Sequence, residues 1–206
     1  KQASSVLSSY QQSVKTPKRY WQLLLAASAK QTEDKDIFSI LDKWHKTNAY
    51  HIEPVLLLAN YWSRKKLPDR AISVLNDALK KHPNSVMLHL VKMQALLDNN
   101  RTMEAKAVFK TLENFNVNKS LLVGIEGRIL LLEKDYAKAV LKLEQFYKAK
   151  PDSTSATYLA FALEGNNQKS AAIKLLEQHS SSHDIDKEVN PRVNFILANM
   201  YLAEHK

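Results

Sequence analysis

A repeating pattern with a constant period constrains this chain more than any other feature of its sequence. Ala71, Ala105 and Ala139 are equally spaced, and a large apolar residue follows each of them four positions later. Pro83 and Pro151 lie two periods apart. The period is about 34 residues, a length typical of arrays of stacked supersecondary units. Such units must stack on one another, because one short unit cannot bury its apolar face alone.

The apolar spacing within a unit predicts two helices joined by a turn. Leu58, Ala59 and Trp62 follow the spacing of an amphipathic helix, and a second apolar stripe begins beyond residues 65–69. That break is mostly polar and contains a proline followed by an aspartate, a pairing typical of a helix stop and start. Pro83 ends the second helix because proline cannot donate the next backbone hydrogen bond. The unit is therefore predicted to be a helical hairpin.

The composition excludes several classes of protein. Among 206 residues there are 3 glycines and no cysteine, and the net charge is +9. So few glycines argue against phosphate-binding loops and all-β folds, and the lack of cysteine excludes disulfide frameworks, iron–sulfur sites and thiol catalysis. The densest basic run, residues 64–66, falls where a helix is predicted to end. Cations there complement the helix dipole, so we interpret the run as a helix end rather than a nucleic-acid patch.

The hairpin pattern resembles the tetratricopeptide repeat (TPR), a unit of about 34 residues with small, aromatic, large apolar and proline residues at fixed offsets. Residues 52–85 match best, and residues 120–152 match through Gly127. Residues 86–119 are degenerate, with Met93 at the small position. The resemblance implies an all-α fold, an α-α superhelix in which helical hairpins stack into a right-handed solenoid.

The same register divides the whole chain into a single array. The predicted repeats are residues 18–51, 52–85, 86–119, 120–152 and 153–186, the last with one residue deleted. We expect residues 1–17 to be the trailing helix of a preceding repeat and residues 187–206 to be the first helix of a truncated one, as if cut from a longer array. The polar residues 180–186 are predicted to be an enlarged loop between repeats; a functional insertion is the alternative.

No sequence pattern supports an enzyme, a metal site or a cofactor. His179 and His183 have the spacing of two ligands on one helix face but lack the adjacent glutamate of zinc proteases, so we interpret them as a solvated pair. The aspartate pairs at 34/36 and 184/186 are expected to cap helix starts, since a calcium loop also needs a glycine and a distal glutamate. Three tryptophans lie in apolar stripes and are predicted to be core residues: Trp21, Trp44 and Trp62.

The resemblance also implies a binding groove, because the first helices of TPR hairpins line a concave surface that binds protein segments. By register, the groove positions are Leu56, Leu57, Asn60, Leu90, Val91, Gln94, Ile125, Arg128, Tyr158 and Phe161. An apolar stripe among them favours an amphipathic helix or an apolar extended segment as the ligand. Asn60, Gln94 and Arg128 recur with the period of the alanines. They form either a ladder of hydrogen-bond donors for a bound segment or merely solvated polar residues.

We therefore predict a non-enzymatic scaffold or adaptor that binds a peptide or helical segment of a partner protein, with no cofactor, no nucleic acid and no membrane span in this chain. The alternative is a structural spacer from a longer bacterial TPR protein associated with exopolysaccharide or exosortase systems, which would place it in the periplasm or cell envelope. The clamp that some family members use for acidic C-terminal tails is not expected. Asn60 fits one clamp position, but Leu121 and Ile125 stand where cations are needed.

Overall fold

The fold is all-α. The computed structural model describes residues 18–29, 34–48, 50–180 and 191–202, and within these ranges it contains eleven α-helices and no strand. In chain order they are α1 (Lys18–Ala29), α2 (Asp34–Thr47), α3 (Ile52–Arg64), α4 (Pro68–Lys81), α5 (Val86–Asp98), α6 (Thr102–Glu113), α7 (Lys119–Leu132), α8 (Tyr136–Ala149), α9 (Ser153–Gly165), α10 (Lys169–Ser180) and α11 (Pro191–Leu202).

Consecutive helices pack against each other from α1 to α4 and again from α6 to α11, as a chain of hairpins requires. The predicted repeats from residue 18 to residue 186 each hold two of these helices, except that α7 begins one residue before its predicted boundary at 120. The division into repeats at those boundaries stays a prediction. The expected helix within residues 1–17 and the expected loop after Ser180 lie outside the described residues.

The chain divides into two compact units, residues 1–95 and 96–206. The division falls inside α5, so residues 86–95 of that helix belong to the first unit and residues 96–98 to the second. Each unit has its own apolar core.

The periodic alanines occupy equivalent places in the second helices of the hairpins. Ala71, Ala105, Ala139 and Ala172 are each the fourth residue of their helix, and none has any exposed surface. A methyl group at these positions fits between closely packed helices, whereas a larger side chain would force them apart. The predicted role of the repeated alanine as a close-packing residue is therefore confirmed.

The turns inside the hairpins share one backbone conformation that recurs with the repeat. Lys66, Asn100, Lys134 and Asn167 have positive φ values between 56° and 62°, and they follow one another at the repeat period, the last interval being one residue shorter. The next residue of each turn donates its N–H to a carbonyl five positions earlier, at 2.8–3.0 Å. This pattern is the Schellman motif, which satisfies the free carbonyls at a helix end. The shorter final interval agrees with the one-residue deletion predicted for the last full repeat.

Glycine allows α7 to approach α8 closely. A Cβ atom at residue 127 would lie 2.7 Å from Cγ of Leu143, and one at residue 124 would lie 2.8 Å from the ring of Phe146. Leu143 is fully buried. At Gly165 of α9, a Cβ atom would overlap the ring of Tyr136 in α8, so all three glycines in the chain allow close helix packing.

The cores contain the predicted tryptophans. In the first unit, Trp21 and Trp44 are almost fully buried, and their rings stack with centroids 6.2 Å apart. Trp62 is only half-buried; it packs against the neighbouring cluster around Ala71, and the guanidinium of Arg70 lies 4.8 Å from its ring centroid. All three rings therefore contribute to packing in residues 1–95.

Candidate functional site

The predicted groove positions of the first unit lie on its first helices, α3 and α5. Leu57 is 39% exposed, and Asn60 and Gln94 are also exposed. Leu56 and Val91 are half-buried because they pack against the cluster that contains Ala71. Leu90 is half-buried as well. This face therefore offers Leu57 and polar amides to solvent.

Leu57 and Asn60 open into a pocket of about 470 Å³, which we call the α1–α3 pocket. Helices α1, α2 and α3 and the residue that follows α3 supply its lining: Leu25, Ile37, Leu41, Leu57, Asn60, Tyr61, Arg64 and Lys65. Its volume lies within the range of about 300–1,000 Å³ that is typical of ligand sites. Val91 and Gln94 are not part of the lining.

The pocket has an apolar interior and a basic rim. Leu41 is 3% exposed and forms the buried part of the wall, whereas Leu25 and Ile37 are half-buried. Arg64 and Lys65, both exposed, supply the two charges, and none of the lining residues is acidic. The surface is thus suited to an apolar group that carries negative charge beside it.

Aromatic packing fixes the wall of the pocket. The ring of Tyr61 stacks on Phe38 of α2 at a centroid distance of 5.8 Å. Nζ of Lys65 lies 5.8 Å from the Tyr61 centroid, within reach of a cation–π interaction. The contact between Tyr61 and Phe38 holds the end of α3 against α2.

An ion pair also joins the two first helices that flank the pocket. Nζ of Lys18 in α1 donates a hydrogen bond to Oε1 of Glu53 in α3. That hydrogen bond holds the pKa of the Glu53 carboxyl below its usual range. The Glu53 carboxyl is therefore ionised throughout the neutral pH range.

The predicted groove positions of the second unit are more buried. Ile125 is only 5% exposed and offers little surface to a partner. Tyr158 and Phe161 of α9 are half-buried and pack against the core of this unit. The apolar stripe expected from register is thus partly used for internal packing here.

Arg128 bridges neighbouring elements of the second unit. Its Nη2 lies 3.1 Å from Oδ1 of Asp98 at the end of α5, and its guanidinium lies 4.4 Å from the ring centroid of Tyr158 in α9. The Arg128 side chain is 13% exposed. Arg128 is thus engaged within the protein, whereas Asn60 and Gln94 are exposed. The ladder of three donors stays a prediction.

The histidines are the remaining candidates for a metal site. His179 shares a hydrogen bond with the hydroxyl of Tyr147 at 2.9 Å and is half-buried, rather than solvated as expected. Its predicted companion His183 and the aspartates at 184/186 lie outside the described residues. Within the described ranges, no three His, Asp or Glu side chains are grouped so that they could hold a metal ion. None of the described helices is both long and apolar enough to cross a membrane.

Comparison with known proteins adds information on the fold. No protein-family model and no curated protein matches this sequence. A solved tetratricopeptide repeat protein from Parabacteroides merdae ATCC 43184 superposes with a TM-score of 0.79 at 11% identity, covering 98% of this chain and 79% of that one. The chain has the TPR fold.

Other solved TPR-fold structures are similar over most of their own length. MamA residues 41 to the end from Desulfovibrio magneticus RS-1 give a TM-score of 0.61 at 14% identity, covering 78% of this chain and 91% of that one. A second MamA crystal structure gives 0.58 at 16% identity, covering 83% and 96%. At such identities the likeness concerns the TPR fold alone. The fold class and the resemblance expected from the sequence are thereby confirmed.

Sequence reasoning missed most of the pocket lining. Leu25, Ile37 and Tyr61 were not assigned to the groove, and Arg64 and Lys65 were interpreted only as a helix end. The sequence signal for Arg64 and Lys65 is that they form a basic pair about one helical turn after Asn60, at the end of α3. The contribution of α2 was not visible in this way, because second helices are not expected to line the groove.

Proposed function

We propose that this chain is a non-enzymatic scaffold that binds a segment of a partner protein through the groove positions of its first helices. The observation that carries the proposal is the α1–α3 pocket, which exposes Leu57 beside an apolar cavity of about 470 Å³. Exposed apolar surface with polar edges is characteristic of interaction sites. The TPR fold supports the proposal, because stacked hairpins create extended binding surfaces.

The test is affinity capture with the whole chain and quantitative mass spectrometry. We expect the double variant Leu57→Asp/Val91→Asp to lose partners that the unaltered chain captures, because a charge in an apolar contact must be desolvated on binding. Leu57→Asp alone should also lose them, and it changes a residue that is already 39% exposed.

The matched control is Leu141→Asp, which places the same charge on an exposed leucine, 61% accessible, of the second helix α8. Circular dichroism of each variant shows whether the helices are retained. If capture by folded Leu57→Asp equals capture by Leu141→Asp, the groove is not the recognition surface. A structural spacer role within a longer array would give that equality.

A further inference from the structure

We infer that the α1–α3 pocket is the anchor site for an apolar side chain of a partner segment whose neighbouring residues are aspartate or glutamate. The inference rests on the proposed scaffold function and specifies the chemistry of its ligand. It assigns recognition to residues of a second helix, α2, and to the basic end of α3.

The interior of the pocket selects an apolar group. Leu25, Ile37 and Leu57 come from three different helices and present aliphatic surface around one cavity. Such a surface gains free energy only when an apolar group removes it from water. The cavity is open to solvent, as the exposure of Leu57 shows.

The rim selects negative charge next to that apolar group. Asn60 and Arg64 are four residues apart, so their side chains lie one above the other on the same face of α3. The guanidinium of arginine binds a carboxylate with two parallel hydrogen bonds, and the asparagine amide can donate to a second acceptor. Lys65 adds a further cation at the same rim. A carboxylate close to the anchoring side chain would therefore be stabilised.

Charge also argues against two occupants from this protein: its residues 1–17 and, through the net charge, a second copy of the whole chain. Residues 1–17 of this chain contain two lysines and no acidic residue, so they do not complement a basic rim. A second copy of the chain carries the same net charge of +9 and is repelled at long range. An acidic apolar segment of a different protein is attracted instead, and its association should weaken with added salt.

The first experiment is selection of binders from a library of random displayed peptides by the whole chain. We expect the selected peptides to share a large apolar residue flanked by Asp or Glu. The double variant Arg64→Glu/Lys65→Glu should select Lys or Arg at the flanking positions while it keeps the apolar anchor. Lys110→Glu/Lys148→Glu is the matched control, because it makes the same change in net charge at exposed positions of α6 and α8.

The second experiment measures affinity for one synthetic peptide, the strongest binder of the unaltered chain, by fluorescence anisotropy. Arg64→Glu/Lys65→Glu and Leu57→Asp should each weaken binding by about tenfold or more. Lys110→Glu/Lys148→Glu and Leu141→Asp should leave the affinity unchanged.

The outcomes distinguish failure of the scaffold function from failure of the proposed ligand chemistry. If the unaltered chain selects no peptide and captures no protein, the scaffold function fails. If peptides are selected but neither their flanking charges nor their affinity responds to the pocket variants, the scaffold function stands and this inference is overturned. Competition by a synthetic peptide of residues 1–17 or of residues 181–190, where Ile185 is flanked by two aspartates, would also overturn it, because it would identify this chain as the occupant. A dimer in sedimentation that Leu57→Asp dissociates would overturn it for the same reason.

Discussion

Gly127 of α7 contacts Leu143 of α8. Whether Gly127→Ala raises or lowers the free energy of unfolding therefore depends on the side chain at residue 143. Replacing a helical glycine by alanine favours the helix by about 1 kcal/mol. The new methyl group would lie 2.7 Å from Cγ of Leu143, however, and Leu143 has no exposed surface into which it could move. Overpacking of this kind costs about 1–3 kcal/mol. We therefore expect Gly127→Ala to lower the free energy of unfolding by about 1 kcal/mol.

The same substitution should stabilise the protein once Leu143 is truncated. Leu143→Ala alone should cost about 2–5 kcal/mol because it leaves a cavity. In that background the contacts with Leu143 Cγ and Cδ2 are gone and the nearest remaining neighbour is Cβ of Lys142 at 3.2 Å, so part of the helix-propensity gain of about 1 kcal/mol is realised. Gly124→Ala is the matched control, since its nearest neighbour is the ring of Phe146 rather than Leu143. Its effect should be the same in both backgrounds.

Urea unfolding followed by circular dichroism measures these differences, and hydrogen exchange of peptides from α7 and α8 localises them. A loss of about 1 kcal/mol corresponds to a fall in melting temperature of about 2–4 °C for a chain of this size. If Gly127→Ala changes stability by the same amount with leucine and with alanine at residue 143, the two side chains are not in contact and the packing of α7 on α8 is wrong.

Three further predictions concern the repeat register, the turns and pH. Ala139→Trp should destabilise the chain by about 1–3 kcal/mol or more, because the alanine is completely buried at the crossing of two helices; an unchanged melting temperature would contradict the register. Lys134→Gly should raise the free energy of unfolding by about 0.5–1 kcal/mol, because residue 134 has a φ of 62°, whereas Lys134→Ala should give no such gain in the same urea titration. Burial, followed by the nearby charge of Lys81, lowers the pKa of His45 from its usual value of 6.5. The unfolded chain therefore binds the proton more readily, and stability should fall as pH drops below about 6.5, until the folded form is protonated too. Tryptophan fluorescence reports this loss because all three tryptophans lie in residues 1–95, and a His45→Gln variant with an equally steep pH dependence would show that another group is responsible.

The ion pairs of this protein differ in how much they are expected to contribute to stability. Many ion pairs in the described residues are exposed, for example Lys138 with Asp135 and Lys80 with Asp77, and such pairs contribute little to stability. Arg128 is the exception because its side chain is largely buried between Asp98 and Tyr158. Electrostatics in this protein therefore matters most where charge is enclosed or where it surrounds an apolar pocket.

The groove positions show what the repeat register can predict and what it cannot. Counting by the repeat period places Leu57 and Ile125 at equivalent positions, yet Leu57 is 39% exposed and Ile125 only 5%. Likewise Asn60 is exposed, whereas its equivalent Arg128 is paired within the protein. Periodicity gives the direction of a side chain on its helix, but the exposure depends on which neighbours fill the space in front of it.

The sequence alone determined the hairpin architecture, because the spacing of apolar and small residues along a helix depends on local geometry that every repeat shares. It also indicated the one-residue deletion and the close-packing role of Ala71 and its equivalents. Only the tertiary structure decided where a cavity remains and which charges surround it. The α1–α3 pocket combines side chains that are far apart along the chain, from Leu25 to Lys65, and their distances depend on how three helices pack. Packing between elements is a non-local property, so no pattern within one repeat could reveal it.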